Sequence, residues 1–225
     1  MAKYINKISV WEPLLRVIRR AEASPDKPSK GTTQYDSVVS ATPLPKLSSL
    51  SIKDAIKLVE NKRPGKTYIG AYQFNKRNLI VGENWVGRSG LNGDDLFNKQ
   101  NQDNIAIYLL EERRKGARWL NGTLSINSFM LNISKEWAGL PVPYDTKGFR
   151  VPVKSGQSFY SGVTTNKANV TVNLVKNALI QIQGGVIIKD ELADNKSYGL
   201  PPVTSSYDVV PAVFDESQYL QYIQN

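Results

Sequence analysis

The chain contains no cysteine and no histidine. Without cysteine there is no disulfide, no thiolate metal site and no thiol nucleophile. Without histidine the commonest general base and the commonest zinc ligand are missing, and a Ser-His-Asp triad is impossible. Acid–base chemistry therefore falls to Asp, Glu, Lys or Tyr, and glycosidic cleavage is the best-known reaction run on carboxyl groups alone. No stretch reaches the apolar length of a membrane span. The N-terminal stretch from Met1 to Trp11 lacks the apolar segment of a secretory signal. The expectation is a chain made in a cytoplasm, with no membrane span, no signal peptide, no metal and no cofactor.

What is present bounds the rest. The 225 residues suit one domain with an appendage, or two small domains, and suffice to bury a core without staples. The net charge of +9 seeks anionic partners such as nucleic acid, anionic lipid or acidic envelope polymers. The charge is uneven. Beyond residue 183, Lys189 and Lys196 stand against Asp190, Glu191, Asp194, Asp208, Asp215 and Glu216, so that end is acidic and the basic excess lies in residues 1–183. The basic residues form no dense run and no interleaved basic–aromatic motif, so nucleic acid is not the expected partner.

Hydrophobic periodicity predicts a helix over residues 10–22, with Trp11, Leu14, Leu15, Ile18 and Glu22 on one stripe and Arg16, Arg19 and Arg20 opposite. At about 100° per residue, Glu22 lies roughly 20° from Leu15. A carboxyl on an apolar stripe is disfavoured in its charged form, so its pKa should rise. Ser24-Pro25 should stop the helix. Ser51 to Asn61 reads as a second helix, with Ser51 as cap and Asp54 three residues on. Thr67 to Phe74 reads as a turn or short strand, residues 84–100 as mostly loop, and Asp103 to Leu120 as one helix. A further helix over Ser125 to Trp137 should end at Gly139 in a left-handed cap ahead of Pro141. Residues 142–164 look like loop, and Asn166 to Gln183 like a helix despite its β-branched content. From Gly184 onward the texture changes. Gly184-Gly185, Pro201, Pro202 and Pro211 break up a segment carrying Tyr198, Tyr207, Phe214, Tyr219 and Tyr222. Five aromatics are too many for a solvated tail, so this segment is expected to dock on its own domain, another copy or a partner.

Five short pieces, in order, carry a resemblance. They are Arg19-Arg20-Ala21-Glu22-Ala23-Ser24, Tyr35-Asp36-Ser37-Val38, Gly70-Ala71-Tyr72-Gln73-Phe74, Gln102-Asp103-Asn104-Ile105-Ala106 with Glu112-Arg113, and Trp137-Ala138-Gly139-Leu140-Pro141. Together they resemble the lambda-type phage endolysins and the wider lysozyme-like muramidases. The resemblance spans roughly residues 10 to 182. It departs from the family pattern at Ala23-Ser24, where the family has glycine after the acid, and at Ala71, where an arginine is common. It leaves residues 184–225 without a counterpart.

The resemblance implies an α+β, lysozyme-like fold, mainly helical with a small β-hairpin lobe, in a domain spanning residues 1–183. Residues 184–225 then form an irregular C-terminal docking extension. The implied activity is cleavage of the β-1,4 bond between N-acetylmuramic acid and N-acetylglucosamine in bacterial peptidoglycan, with Glu22 as general acid. Asp36 is the candidate second carboxylate if the enzyme hydrolyses. A lytic transglycosylase needs only the one acid, because the sugar's own 6-hydroxyl attacks. Tyr35, Tyr72 and Gln73 are the expected substrate-binding residues, Gln73 through its amide donors and acceptor and Tyr72 through its ring face. Core packing is the rival assignment for Tyr72 and Phe74, and the favoured one for Trp137. Two settings fit: an enzyme in the phage virion, docked to a tail or baseplate protein through residues 184–225, or an enzyme waiting in the host cytoplasm before lysis. The alternative keeps the fold and drops the chemistry, as a catalytically inactive lysozyme-like component of a phage tail or baseplate.

Overall fold

A computed structural model describes residues 2–23, 33–38, 44, 46–62, 64–163 and 166–184. The proposed helix stop at Ser24-Pro25 and the docking extension beyond Gly184 lie outside the described residues. Among the described residues the fold is α+β: helices dominate, and two small two-stranded antiparallel sheets accompany them.

A short 3-10 turn, Ile5–Lys7, leads into α1 (Ile8–Ala23), two residues longer at its start than the periodicity predicted. Its apolar stripe is buried through Trp11, Leu14, Leu15, Val17, Ile18 and Ala21. Trp11 packs with Trp119 and Phe129, whose rings stack at 5.0 Å, and its indole N–H donates to Glu111 at 2.8 Å. Helix α2 (Ile52–Lys62) starts where the capping pattern placed it, with the Asp54 backbone N–H donating to the Ser51 hydroxyl. Strands β1 (Tyr68–Ile69) and β2 (Phe74–Asn75) form a hairpin around Gly70 to Gln73 that runs into α3 (Lys76–Ile80).

Four segments differ from the periodicity reading. Residues 84–100 are not all loop: Asn84 caps a short helix, α4 (Trp85–Arg88), which buries Trp85 against Phe74. The expected single helix over Asp103 to Leu120 is two. Helix α5 (Lys99–Tyr108) continues as a π-helical segment, Leu109–Arg113, and the chain then breaks at Lys115, which has a φ of 66°, before α6 (Gly116–Leu120). The break lets Gly116 sit on the Trp11 ring and the Leu110 carbonyl, where a Cβ would come within 2.8–3.0 Å. The pattern of apolar residues continues through such a break, so periodicity alone could not reveal it. Helix α7 (Ile126–Ser134) ends three residues short of Trp137, and Gly139 is not in the left-handed region. Its lack of a side chain serves close approach instead, as described below. Within residues 142–164 a second hairpin pairs β3 (Thr146–Lys147) with β4 (Pro152–Val153).

Helix α8 (Val172–Ile182), capped by Thr171, packs along α1. It buries one polar side chain with no hydrogen-bond partner: both amide atoms of Asn177 are orphaned. An unpaired buried amide costs on the order of 1–3 kcal/mol. Asn177→Leu, close in volume, should therefore raise unfolding stability by about 1–2 kcal/mol in urea denaturation, and a lower midpoint would contradict this.

Candidate active site

Glu22 occupies the last turn of α1, where the apolar stripe holds it against packed atoms while part of its surface still meets solvent. Its Oε1 accepts a 2.7 Å hydrogen bond from the backbone N–H of Gly139. Among the described residues Oε2 has no partner, and no neighbouring charge bears on the group. Burial pushes the carboxyl up from its ordinary 4.5 to about 7, against the lesser, opposing pull of the Gly139 N–H. The group is thus near half-protonated at neutral pH.

Gly139 reaches Glu22 because it carries no side chain. A Cβ there would lie 2.5 Å from the Ala21 carbonyl oxygen and 2.9 Å from Glu22 Oε1. The same contact is held from the other side by Asn169, whose backbone N–H donates to the Gly139 carbonyl and whose amide Nδ2 donates to the Ala21 carbonyl, both at 2.8 Å. Gly139→Ala should therefore force the 137–141 segment off the end of α1. We expect a loss of about 1–3 kcal/mol in urea denaturation and a Glu22 pKa that no longer sits near 7 when the carboxyl is titrated by NMR. An unchanged titration would contradict the assigned contact.

The Gly70 to Gln73 turn lies on the other side of the same segment: the Trp137 indole N–H donates to the Tyr72 carbonyl at 3.1 Å. Gly70 has a φ of +77° and meets Gln102 Oε1 so closely that any Cβ would stand 2.4 Å from it. Gln102 then accepts from the Ala71 N–H at 2.9 Å and donates to the carbonyls of Phe97 and Tyr35. Gln73, also left-handed at φ 48°, donates from Nε2 to the Gly70 carbonyl at 2.8 Å; among the described residues its Oε1 has no partner.

The remaining expected binding residues are not all free to bind. Tyr72 is fully buried. Its hydroxyl donates to Asp103 Oδ1 at 2.5 Å and accepts from Arg19 Nη1 at 2.9 Å. Burial first, and then the negative charge of Asp103, hold the phenol well above its ordinary 10. The half-buried Tyr35 donates to the same Asp103 oxygen at 3.2 Å, and Lys99 reaches Asp103 Oδ2 at 2.5 Å. Arg19 closes the cluster through Glu12 at 2.6 Å. Tyr35 and Tyr72 thus act through their hydroxyls as struts between α1, the hairpin turn and α5. Phe74 and Trp137 are core residues.

Asp36 is likewise committed. Its Oδ2 accepts from the Thr33 N–H and hydroxyl at 2.8 and 3.0 Å, and its Oδ1 accepts from the Ser48 N–H at 2.8 Å. This is a reciprocal capping box on the 3-10 turn Gln34–Asp36, tied to a second turn at Leu47–Ser49. A buried carboxylate with both oxygens engaged by backbone and hydroxyl donors is a structural cap, not a free nucleophile or base.

Sequence reasoning missed three residues that position the site. Arg19 looked like solvated surface but is buried. Asp103 and Gly139 stood in the quoted motifs, yet neither showed what it contacts. Among the described residues, no group of three or more Asp or Glu side chains is placed to hold a metal ion, and no helix is long and apolar enough to cross a membrane. The chain matches no protein-family model, no curated protein and no solved structure.

Proposed function

We propose that this chain is a phage peptidoglycan-degrading enzyme of lysozyme-like fold that cleaves the β-1,4 bond between N-acetylmuramic acid and N-acetylglucosamine, with Glu22 as its proton donor. One observation carries this reading. The Glu22 carboxyl is held by desolvation to about 7, with one oxygen engaged by Gly139 and the other unpartnered among the described residues. Three of the five motif pieces support it further, since they meet at one segment: residues 137–139 bond both to Glu22 and to the Tyr72 turn.

The commitment of Asp36 to a capping box favours the lytic transglycosylase over the hydrolysing muramidase. In the one-acid route, protonated Glu22 gives its proton to the glycosidic oxygen as the bond from that oxygen to the muramic acid C1 breaks. The 6-hydroxyl of the same muramic acid then attacks C1, and the Glu22 carboxylate takes the hydroxyl proton. No water is consumed, a 1,6-anhydro end forms, and the donor is restored. A group half-protonated near pH 7 suits both halves of that cycle. Gln73 Oε1 is available to accept from a sugar hydroxyl or acetamido N–H. Docking to a tail or baseplate protein is proposed from the aromatic, acidic composition of residues 184–225.

The experiment is digestion of purified sacculi followed by mass spectrometry of the released fragments. Anhydro ends are expected. Reducing ends would return the mechanism to a two-carboxylate hydrolase, and no release at all would favour an inert shell.

A further inference from the structure

Large apolar side chains exposed to solvent are few among the described residues, and three of the seven fall within residues 144–151: Tyr144, Phe149 and Val151, with Phe149 the most exposed of the three at 56%. An exposed cluster of this kind marks a contact surface. Its geometry is fixed. The Phe149 N–H donates to the Phe159 carbonyl at 2.9 Å, and the Gly148 N–H to the Val151 carbonyl at 2.9 Å. Gly148 fits only without a side chain, since a Cβ would lie 2.7–2.8 Å from the Val151 and Phe159 carbonyls. Behind Phe149 stands the Tyr160 ring, with centroids 5.5 Å apart. Tyr160 donates through its hydroxyl to the Lys135 carbonyl at 2.8 Å, and Ser158 donates to the Ala138 carbonyl at 2.6 Å. The aromatic surface is therefore bonded to the same 135–139 segment that holds Glu22. Cations border it: the Arg150 guanidinium lies 5.9 Å from the Phe149 ring centroid, and Lys135 lies 5.5 Å from that of Phe159.

We propose that Phe149, backed by Tyr160, with Arg150 at its ring and Lys135 at the adjoining Phe159 ring, is a stacking platform for a sugar ring of the peptidoglycan strand, away from the bond cleaved at Glu22. The inference rests on the function proposed above and names a further binding site for it. The C–H face of a pyranose is apolar and lies flat on an aromatic ring, while peptide-stem carboxylates pair with the bordering cations. A ring fixed by backbone hydrogen bonds costs little ordering on binding. The cations and the link to the Glu22 segment favour this occupant over a neutral apolar partner.

The test compares Glu22→Gln with the Glu22→Gln/Phe149→Ala and Glu22→Gln/Phe149→Trp double variants of the full chain, co-sedimented with purified sacculi across a range of concentrations. Loss of one aromatic contact should weaken retention by about tenfold, and tryptophan should restore it. Phe149 is exposed, so thermal unfolding of the alanine variant should be unchanged, which separates lost binding from lost fold. Equal retention by all three proteins overturns the platform, as does retention that Phe149→Ala leaves intact and salt alone abolishes. Absence of cleavage by wild type would sink the catalytic reading, whereas the sedimentation comparison still decides the platform.

Discussion

Glu22→Gln will leave sacculi intact while making the folded protein harder to unfold at pH 8. The amide keeps an oxygen for the Gly139 N–H but cannot give a proton, so a turbidity assay should show a loss of at least about 10²–10⁴-fold, the range for removing a general acid. Stability moves the other way. The folded carboxyl titrates near 7 and an ordinary one near 4.5. Below pH 4.5 both the folded and unfolded states hold the proton, and the group costs nothing. As pH rises from about 4.5 to about 7, the unfolded chain gives up its proton more readily, and stability is lost progressively. Above pH 7 the penalty is complete, at roughly 3 kcal/mol as a ceiling that partial exposure to water reduces. Urea denaturation at pH 4 and pH 8 should therefore show wild type and Glu22→Gln nearly alike in acid, with the variant more stable in base. The activity of wild type should decline above pH 7 for the same reason, as the donor is lost. Clearing by the glutamine variant, or equal stability at pH 8, would remove Glu22 from its assigned role.

Asp103→Ala should be the most damaging single substitution. Its carboxylate is inaccessible to solvent and receives Tyr72, Tyr35, Lys99 and, at 3.5 Å, Arg19. Arg19 is itself buried, so deleting Asp103 leaves a charge answered, among the described residues, by Glu12, the Tyr72 hydroxyl and the faces of the Tyr35 and Tyr72 rings. Breaking a buried pair from one side costs about 3–5 kcal/mol, chiefly because the remaining charge is stranded. Asp103→Asn keeps an acceptor for the two tyrosine hydroxyls and should cost less. Both should lower the activity of the protein that remains folded, because Tyr72 fixes the turn that presents Gln73. Denaturation midpoints that fall in the order wild type, asparagine, alanine would confirm the assignment. A midpoint for Asp103→Ala near that of wild type would show that the cluster contributes little.

Much of the helical framework was legible in the chain. The stripe from Trp11 to Ile18 placed α1, Ser51 placed the start of α2, and the apolar spacing read over Asn166 to Gln183 placed α8 (though that helix starts six residues later, at Val172), because burial of one face imposes a period that local sequence records. The position of Glu22 on that stripe also foretold a carboxyl with a raised pKa, which needs only apolar neighbours one and two turns away. The break at Lys115, the short helix at Trp85 and the ending of α7 before Trp137 were not legible. Each depends on a partner distant in sequence: Trp11 beneath Gly116, Phe74 against Trp85, and α1 against Gly139.

The roles of the polar residues divide along the same line. The sequence by itself determined that any acid–base chemistry must run without histidine or cysteine, on Asp, Glu, Lys or Tyr, and that Glu22 shares an apolar face. Only the tertiary structure decided that Asp36 is a cap, that Tyr72 is a buried strut, that Arg19 is interior and that Gly139 supplies the hydrogen bond to Glu22. Residue type limits what a side chain is able to do; which of those options it uses depends on which donors, acceptors and charges the fold brings within about 3 Å of it, and these come from segments far away along the chain.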